Sequence, residues 1–170
     1  EQWGDIIWTS METAFYGCTN LTVPAVDSPN LSVALSLNQM FHGATSFNQS
    51  IDHWDVSNIV IFYGMFWDAT SFNQPLNSWV LTSATDISSM FQGATSFNQP
   101  LNNWTITTVN TIQVIFKNAT SFNQPVNSWD VSNVTNFAGA FQGASSFNQP
   151  LANWELGSAL TLGLMFYNAS

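Results

Sequence analysis

Phe47-Asn48-Gln49 returns as Phe72-Asn73-Gln74, Phe97-Asn98-Gln99, Phe122-Asn123-Gln124 and Phe147-Asn148-Gln149, each time 25 residues on. Outward from this triplet, a Trp follows seven residues after each Phe, at Trp54, Trp79, Trp104, Trp129 and Trp154. A second Phe stands six residues before it, at Phe41, Phe66, Phe91, Phe116 and Phe141, and the series continues with Phe166. A unit of this size cannot bury its apolar face alone, so copies must lie against one another around a shared core. The spacing predicts a solenoid of about seven coils.

Nothing in the chain interrupts the repeat, so residues 1–170 read as a single domain. A degenerate half-copy opens it, with Trp3 twelve residues before Phe15 as Trp54 is before Phe66. The copy over 17–40 is one residue longer and lacks both Phe-Asn-Gln and the Trp, which makes 1–40 a divergent start to the regular array over 41–170. The apolar share of 45% is that of a folded chain. Charged residues make up only 6%, with Lys117 the sole basic residue against ten acidic ones, for a net charge of −9. That balance argues against a phosphate-backbone partner. No apolar run reaches the roughly 18 residues of a membrane span, and no basic leader precedes Glu1. The lone Cys18 supports no disulfide framework and reads as a small buried residue of the first coil.

Inside each copy, Leu76-x-x-Trp79-x-Leu81 and its equivalents (Ile51/Trp54/Val56, Leu101/Trp104/Ile106, Val126/Trp129/Val131, Leu151/Trp154/Leu156) suggest a short strand with one face buried. Paired strands would set the coils about 4.7–4.9 Å apart. Asn58, Ser83, Thr108, Asn133 and Ser158 follow the Trp by four and suit a helix N-cap. Val134, Phe137 and Phe141, at offsets of zero, three and seven, then read as one helical turn. Gly43, Gly93, Asn118, Gly143 and Asn168 suit a left-handed exit from it.

The L-x-x-W-x-L segment resembles the L-x-x-L-x-L of leucine-rich repeats. The whole unit, M-F-x-G-A-T-S-F-N-Q-P-L-N-x-W-D-V-S-N-V-T, resembles the BspA-like repeats of bacterial and protist surface lipoproteins, over nearly the whole chain. The opening Trp3-Gly4-Asp5-Ile6-Ile7-Trp8-Thr9-Ser10-Met11 and Phe15-Tyr16-Gly17-Cys18 is similar to the start of that family's arrays. The resemblance implies a leucine-rich-repeat-like α/β solenoid, one short strand and one short helical turn per coil, with a surface-adhesion role. It departs from ordinary leucine-rich repeats in placing the recurrent Asn before the strand.

No nucleophile-base-acid set, phosphate loop or metal-ligand cluster is present, so the sequence reads as non-enzymatic, with no metal or cofactor. His42 and His53 lack a partner at ligand spacing, and Asp52, Asp55, Asp130 and Glu155 read as a solvated acidic face. The Trp column reads as core rather than as a sugar platform, and the Asn48/73/98/123/148 column as a buried amide ladder. The Thr45/70/95/120 and Ser145 column looks like the hydroxyl rows of ice-binding solenoids, though placed in a turn. N-x-S/T acceptors occur at Asn20, Asn30, Asn103, Asn118, Asn133 and Asn168, all candidates for N-linked glycan, and at Asn48, expected bare as a ladder member.

These observations predict a secreted or cell-surface structural or adhesive element carrying N-linked glycans. The rivals are a module that binds a host or matrix ligand on the strand face, and an ice-binding protein. The last copy stops at Ser170 and Glu1-Gln2-Trp3 aligns with Ala152-Asn153-Trp154, so Ser170 joined to a following Glu1 nearly recreates a repeat. Copies are therefore expected to assemble head-to-tail into a fibre, unless further repeats of the parent chain follow.

Overall fold

The computed structural model describes residues 2–169; Glu1 and Ser170, and with them the junction aligned above, lie outside the described residues. Each 25-residue copy lies on the next, but the copies are built differently from the expected α/β coil. Among the described residues there is no helix, and strand pairing is confined to isolated parallel bridges: Ile7 with Asn30, then Ser36, Ile61, Asp86, Thr111, Asn136 and Thr161 in succession. Each bridge is a single residue pair, and none extends into a strand.

What replaces strand and helix is a succession of i→i+3 turns. In the copy that begins at Leu76, the carbonyl of Leu76 accepts the N–H of Trp79, Leu81 that of Ala84, Ile87 that of Met90, Ser89 that of Gln92, Phe91 that of Ala94 and Ala94 that of Phe97, at 3.0–3.4 Å. The residues opening and closing these turns are buried, apart from Gln92, which is half-buried. Leu-x-x-Trp is therefore one turn whose two apolar ends point inward, with Asn77 and Ser78 at its tip, and not a strand. The residue after the Trp does face solvent, as at Asp55, Val80, Thr105, Asp130 and Glu155.

The expected helical turn fails for a backbone reason. Two residues per copy hold positive φ: Gln39 (51°), Gly64 (56°), Ser89 (56°), Val114 (48°), Gly139 (62°) and Leu164 (58°) in one column. Gly43 (69°), Asp68 (54°), Gly93 (67°), Asn118 (58°), Gly143 (69°) and Asn168 (58°) form the second, four residues later. A right-handed helix cannot pass through left-handed residues. The pattern Val134, Phe137, Phe141 marks turn ends instead: Val134 closes Val131–Val134, and Phe137 and Phe141 open the next two. Positive φ at the third residue of Ile87–Met90 and of Phe91–Ala94 is what a type II turn demands. The left-handed positions expected after the second Phe are present without the helix they were to end. Asn58 and Asn133 are likewise no helix caps; their side-chain amides donate to Ser32 and Thr107 carbonyls of the preceding copy at 3.1 and 2.8 Å.

Alternate N–H groups of this segment reach the next copy. Ser89, Phe91 and Gly93 donate to Gln113, Ile115 and Lys117 at 2.9, 2.9 and 2.7 Å, and the equivalents recur along the chain. The Thr13-to-Gln39 and Gly17-to-Gly43 steps of this ladder are 26 residues, so the first full copy is one residue longer, as its sequence indicated.

A single apolar cluster runs from Met11 to Met165. Phe41, Phe66, Phe91, Phe116, Phe141 and Phe166 stack 5.5–5.7 Å apart between centroids. Phe47 to Phe147 do so at 5.6–6.1 Å, wider than strand spacing and typical of offset rings. Inside a copy the two Phe series meet at 3.8–4.1 Å. The Trp rings of the column are core as expected, and four of the five indole N–H groups reach the preceding copy: Trp79 donates to Ile51 O, Trp104 to Leu76 O, Trp129 to Leu101 O and Trp154 to Val126 O, at 2.8–3.1 Å.

Burying a Phe side chain stabilises by about 1.5–3 kcal/mol, and truncation to Ala leaves a cavity that brings the loss to about 3–5 kcal/mol. Phe97→Ala is expected to lower the unfolding midpoint far more than Asp130→Ala on the exposed edge. Chemical denaturation of both variants checks this, and equal midpoints would remove Phe97 from the core.

Candidate functional site

The polar column beside the Phe core is held by both residues of Asn-Gln. Asn48 Oδ1 accepts the Asn73 N–H at 2.9 Å and the Gln74 side-chain amide at 3.1 Å, and Asn73, Asn98 and Asn123 repeat the arrangement at 2.9 Å. The amide ladder is thus real but not buried: Asn48 and Asn148 are exposed and the three between half-buried. Thr70 and Thr95 hydroxyls donate to Thr45 and Thr70 carbonyls at 3.4 Å, so those hydroxyls are turned into the stack rather than left free for ordered water.

The glycan candidates are all exposed, but their amides differ. Asn30 Oδ1 accepts the N–H of Ser32, its own acceptor hydroxyl residue, at 3.1 Å. Asn103 lies at the tip of the Leu101–Trp104 turn, with Asn102 donating to its Oδ1 at 3.1 Å. Asn118 and Asn168 occupy left-handed positions, and the hydroxyl residue of the latter, Ser170, is outside the described residues. Asn133 Nδ2 is engaged with Thr107 O. Asn20 lies on the exposed divergent copy, where Cys18 is also exposed rather than buried.

Chemistry-bearing groups stay apart. Among the described residues no three His, Cys, Asp or Glu side chains converge on a metal-sized site. The Ser57 hydroxyl and N–H hold the Asp55 carboxyl below its usual range, and Ser132 does the same for Asp130, so both are acceptors fixed in local turns. His53 lies near the divergent copy, its Nε2 3.4 Å from Asp27 O. An apolar hollow of about 490 Å³ lies on the last copy among Leu151, Trp154, Leu156, Leu162, Leu164, Met165, Phe166 and Tyr167.

One surface cluster was not singled out from the sequence. Tyr16, His42 and Trp67 each precede a left-handed residue in successive copies, so they share a column. His42 stacks on Trp67 at 4.5 Å and 7°, Tyr16 meets His42 at 4.5 Å and 62°, and Tyr63 meets Trp67 edge-on at 6.5 Å. Gln39 Nε2 lies 3.1 Å from His42 Nδ1. The signal was available: the same column carries Gln92, Lys117, Gln142 and Tyr167 in later copies.

A family model described as "Mycoplasma protein of unknown function, DUF285" matches residues 9–126 and again 102–170. The chain belongs to this family. The two DUF285 matches overlap over 102–126, which is one 25-residue repeat and shows the model sliding along the array. DUF285 membership establishes a repeat protein and brings no activity with it. No curated protein and no solved structure matches the chain. No helix among the described residues is long and apolar enough to cross a membrane.

Desolvation pushes the His42 imidazole below the usual 6.5, with the Asp68 carboxylate partly opposing. A His whose folded pKa is depressed binds its proton more readily when unfolded, so stability is full above the unfolded pKa and declines as pH falls through about 6.5 toward the folded value. His42→Gln is expected to flatten this segment of the stability profile, measured by unfolding midpoints across that window. An unchanged slope would show that His42 is fully solvated.

Proposed function

We propose that this DUF285 chain is an extracellular structural or adhesive element, glycosylated on its turns, whose unit faces are covered by further units of the same kind. A BspA-like surface role is the family-level form of this reading, and it carries no catalysis. The observation that supports it is the sameness of the unit-to-unit contact. Each copy offers N–H groups at its left-handed residues and central Phe to carbonyls of the next, and one Phe face to the next Phe. A unit face so built fits another unit, whether of the same polypeptide or of a second copy. On the last copy Leu164 and Phe166 are 61% and 49% exposed. Head-to-tail contact that does not close yields a fibre.

Light scattering after size exclusion, with electron microscopy of native protein, tests the assembly. Filaments that Phe166→Asp abolishes are expected. Monomers at every concentration would refute it.

Glycan occupancy follows the engagement of each amide. Intact-glycopeptide mass spectrometry of native material is expected to find sugar at Asn20 and Asn103, with the least at Asn133 and Asn48, whose amides bridge copies. Occupancy concentrated at Asn48 and Asn133 would overturn this assignment.

The reading as a surface binding module is favoured by one specific observation, the aromatic cluster around Trp67. The ice-binding reading finds no such support, because the Thr70 and Thr95 hydroxyls are spent on backbone carbonyls.

A further inference from the structure

The side of the stack contains its own control experiment. The column Tyr16, His42, Trp67 continues as Gln92, Lys117 and Gln142 before returning to an aromatic at Tyr167, and the Tyr63 column continues as Ser88, Gln113 and Ala138. Copies with polar residues there keep the same inter-copy hydrogen bonds: Phe91, Phe116 and Phe141 donate to the next copy as Phe41 and Phe66 do, all at 2.9 Å. The stack therefore does not need aromatic rings at these places, yet the first three copies bring four of them into mutual contact across the two columns, while Tyr167 stands apart on the last copy.

We propose that this lateral face, formed by Tyr16, His42, Tyr63 and Trp67, is a binding site for a neutral saccharide. Tyr16 is 53% exposed and the other three are half-buried, so ring surface is available while the rings are held by one another. Trp67 packs beside Gly64, where an added Cβ would lie in ordinary contact, 3.5 Å from the indole. The indole N–H of Trp67 and the hydroxyls of Tyr16 and Tyr63 have no protein hydrogen bond among the described residues.

This combination selects the ligand class. Rigid rings carrying a polar tip suit a partner that is apolar on one side and hydroxylated at its rim. The C–H face of a pyranose fits that description, with its hydroxyls taking the indole N–H and the phenol groups, and with the Asp68 carboxylate as an acceptor alongside. Charge narrows the choice further. A net charge of −9 with Lys117 as the only basic side chain repels phosphate, sulfate and uronate groups. The face lies on the side of a single chain and needs no head-to-tail assembly, so filament formation can fail while this site stands.

The test uses the whole chain and a set of neutral oligosaccharides: cellohexaose, laminarihexaose, mannohexaose and chitohexaose, with a hyaluronan fragment as the anionic control. Binding is read by calorimetry and by NMR shifts of the Trp67 indole N–H. At least one neutral saccharide is expected to bind and move that resonance, and hyaluronan is not. Trp67→Gln and Tyr16→Gln install the residue type that neighbouring copies carry, so both should keep the wild-type unfolding midpoint. Each is expected to weaken binding by about tenfold or more, as loss of a central aromatic anchor does. Failure of every neutral saccharide to move the indole overturns the proposal, as does undiminished binding by both folded variants. A lateral dimer in light scattering that Trp67→Gln dissociates would assign the face to a second copy instead and equally overturn it.

Discussion

The structure depends on a division of backbone N–H groups in the segment around the second Phe. Those of Ser89, Phe91 and Gly93 leave the copy for the next one, while those of Met90, Gln92 and Ala94 close turns within it. Neither a helix nor a strand can do this, because a helix sends every N–H along its own axis and an extended strand sends alternate ones to opposite sides. Left-handed residues at two points per copy make the division possible by turning the chain between donations. Once it is made, the spacing of copies is set, and the Phe columns, Trp indoles and Asn-Gln rungs fall into register at 25-residue intervals.

That account shows why the core was legible from the sequence and the secondary structure was not. Burial at Phe47, Phe72, Trp79 and Leu81 follows from recurrence alone, since a column present in every copy must serve what every copy shares. The same recurrence was read through the wrong template. Apolar residues three apart fit one face of a helix, and Trp-x-Leu fits a strand, yet apolar residues three apart also mark the first and fourth positions of a turn. Nothing in Leu76-x-x-Trp79 separates these readings locally. The deciding clue was Gly93 and Asn118 at one place and Gly64 and Gly139 four residues earlier, two left-handed positions too close together for any helix between them. Of the candidate site, the glycan acceptors were legible as motifs, and their hydrogen bonds only from the structure.

Recurrence also explains why the Trp and Gln are not replaceable by other large or polar residues. The Leu76 carbonyl closes its own turn with the Trp79 N–H and takes the Trp104 indole N–H on its second lone pair. A Phe at 104 would fill the core and leave that bond unmade. Gln99 likewise donates to both the carbonyl and the side-chain oxygen of Asn73. Conversely, positions that vary from copy to copy are released from such duties, and that freedom is where binding chemistry can be written. The aromatic cluster at Trp67 lies on such positions.

The second left-handed column carries a longer rhythm than the repeat itself. From Gly43 it alternates glycine with Asp68, Gly93, Asn118, Gly143 and Asn168. The cause is steric as well as conformational. A Cβ at Gly93 would stand 2.0 Å from the Asp68 Oδ1, and one at Gly143 would stand 2.3 Å from the Asn118 Oδ1. An Asx side chain in this column leans over the following copy and occupies the space that a side chain there would need. Asx tolerates positive φ better than most residues, so strain alone would permit it in every copy. Crowding works against it, since the end of the preceding Asx side chain would have to swing aside, and the copy after an Asx returns to glycine. The packing period along this edge is therefore two copies, or 50 residues, while the core repeats at 25. A single copy deleted or duplicated between Gly43 and Asn168 would therefore place Asx over Asx or glycine beside glycine, the second being the arrangement Gly17 and Gly43 already adopt, whereas a pair of copies keeps the alternation.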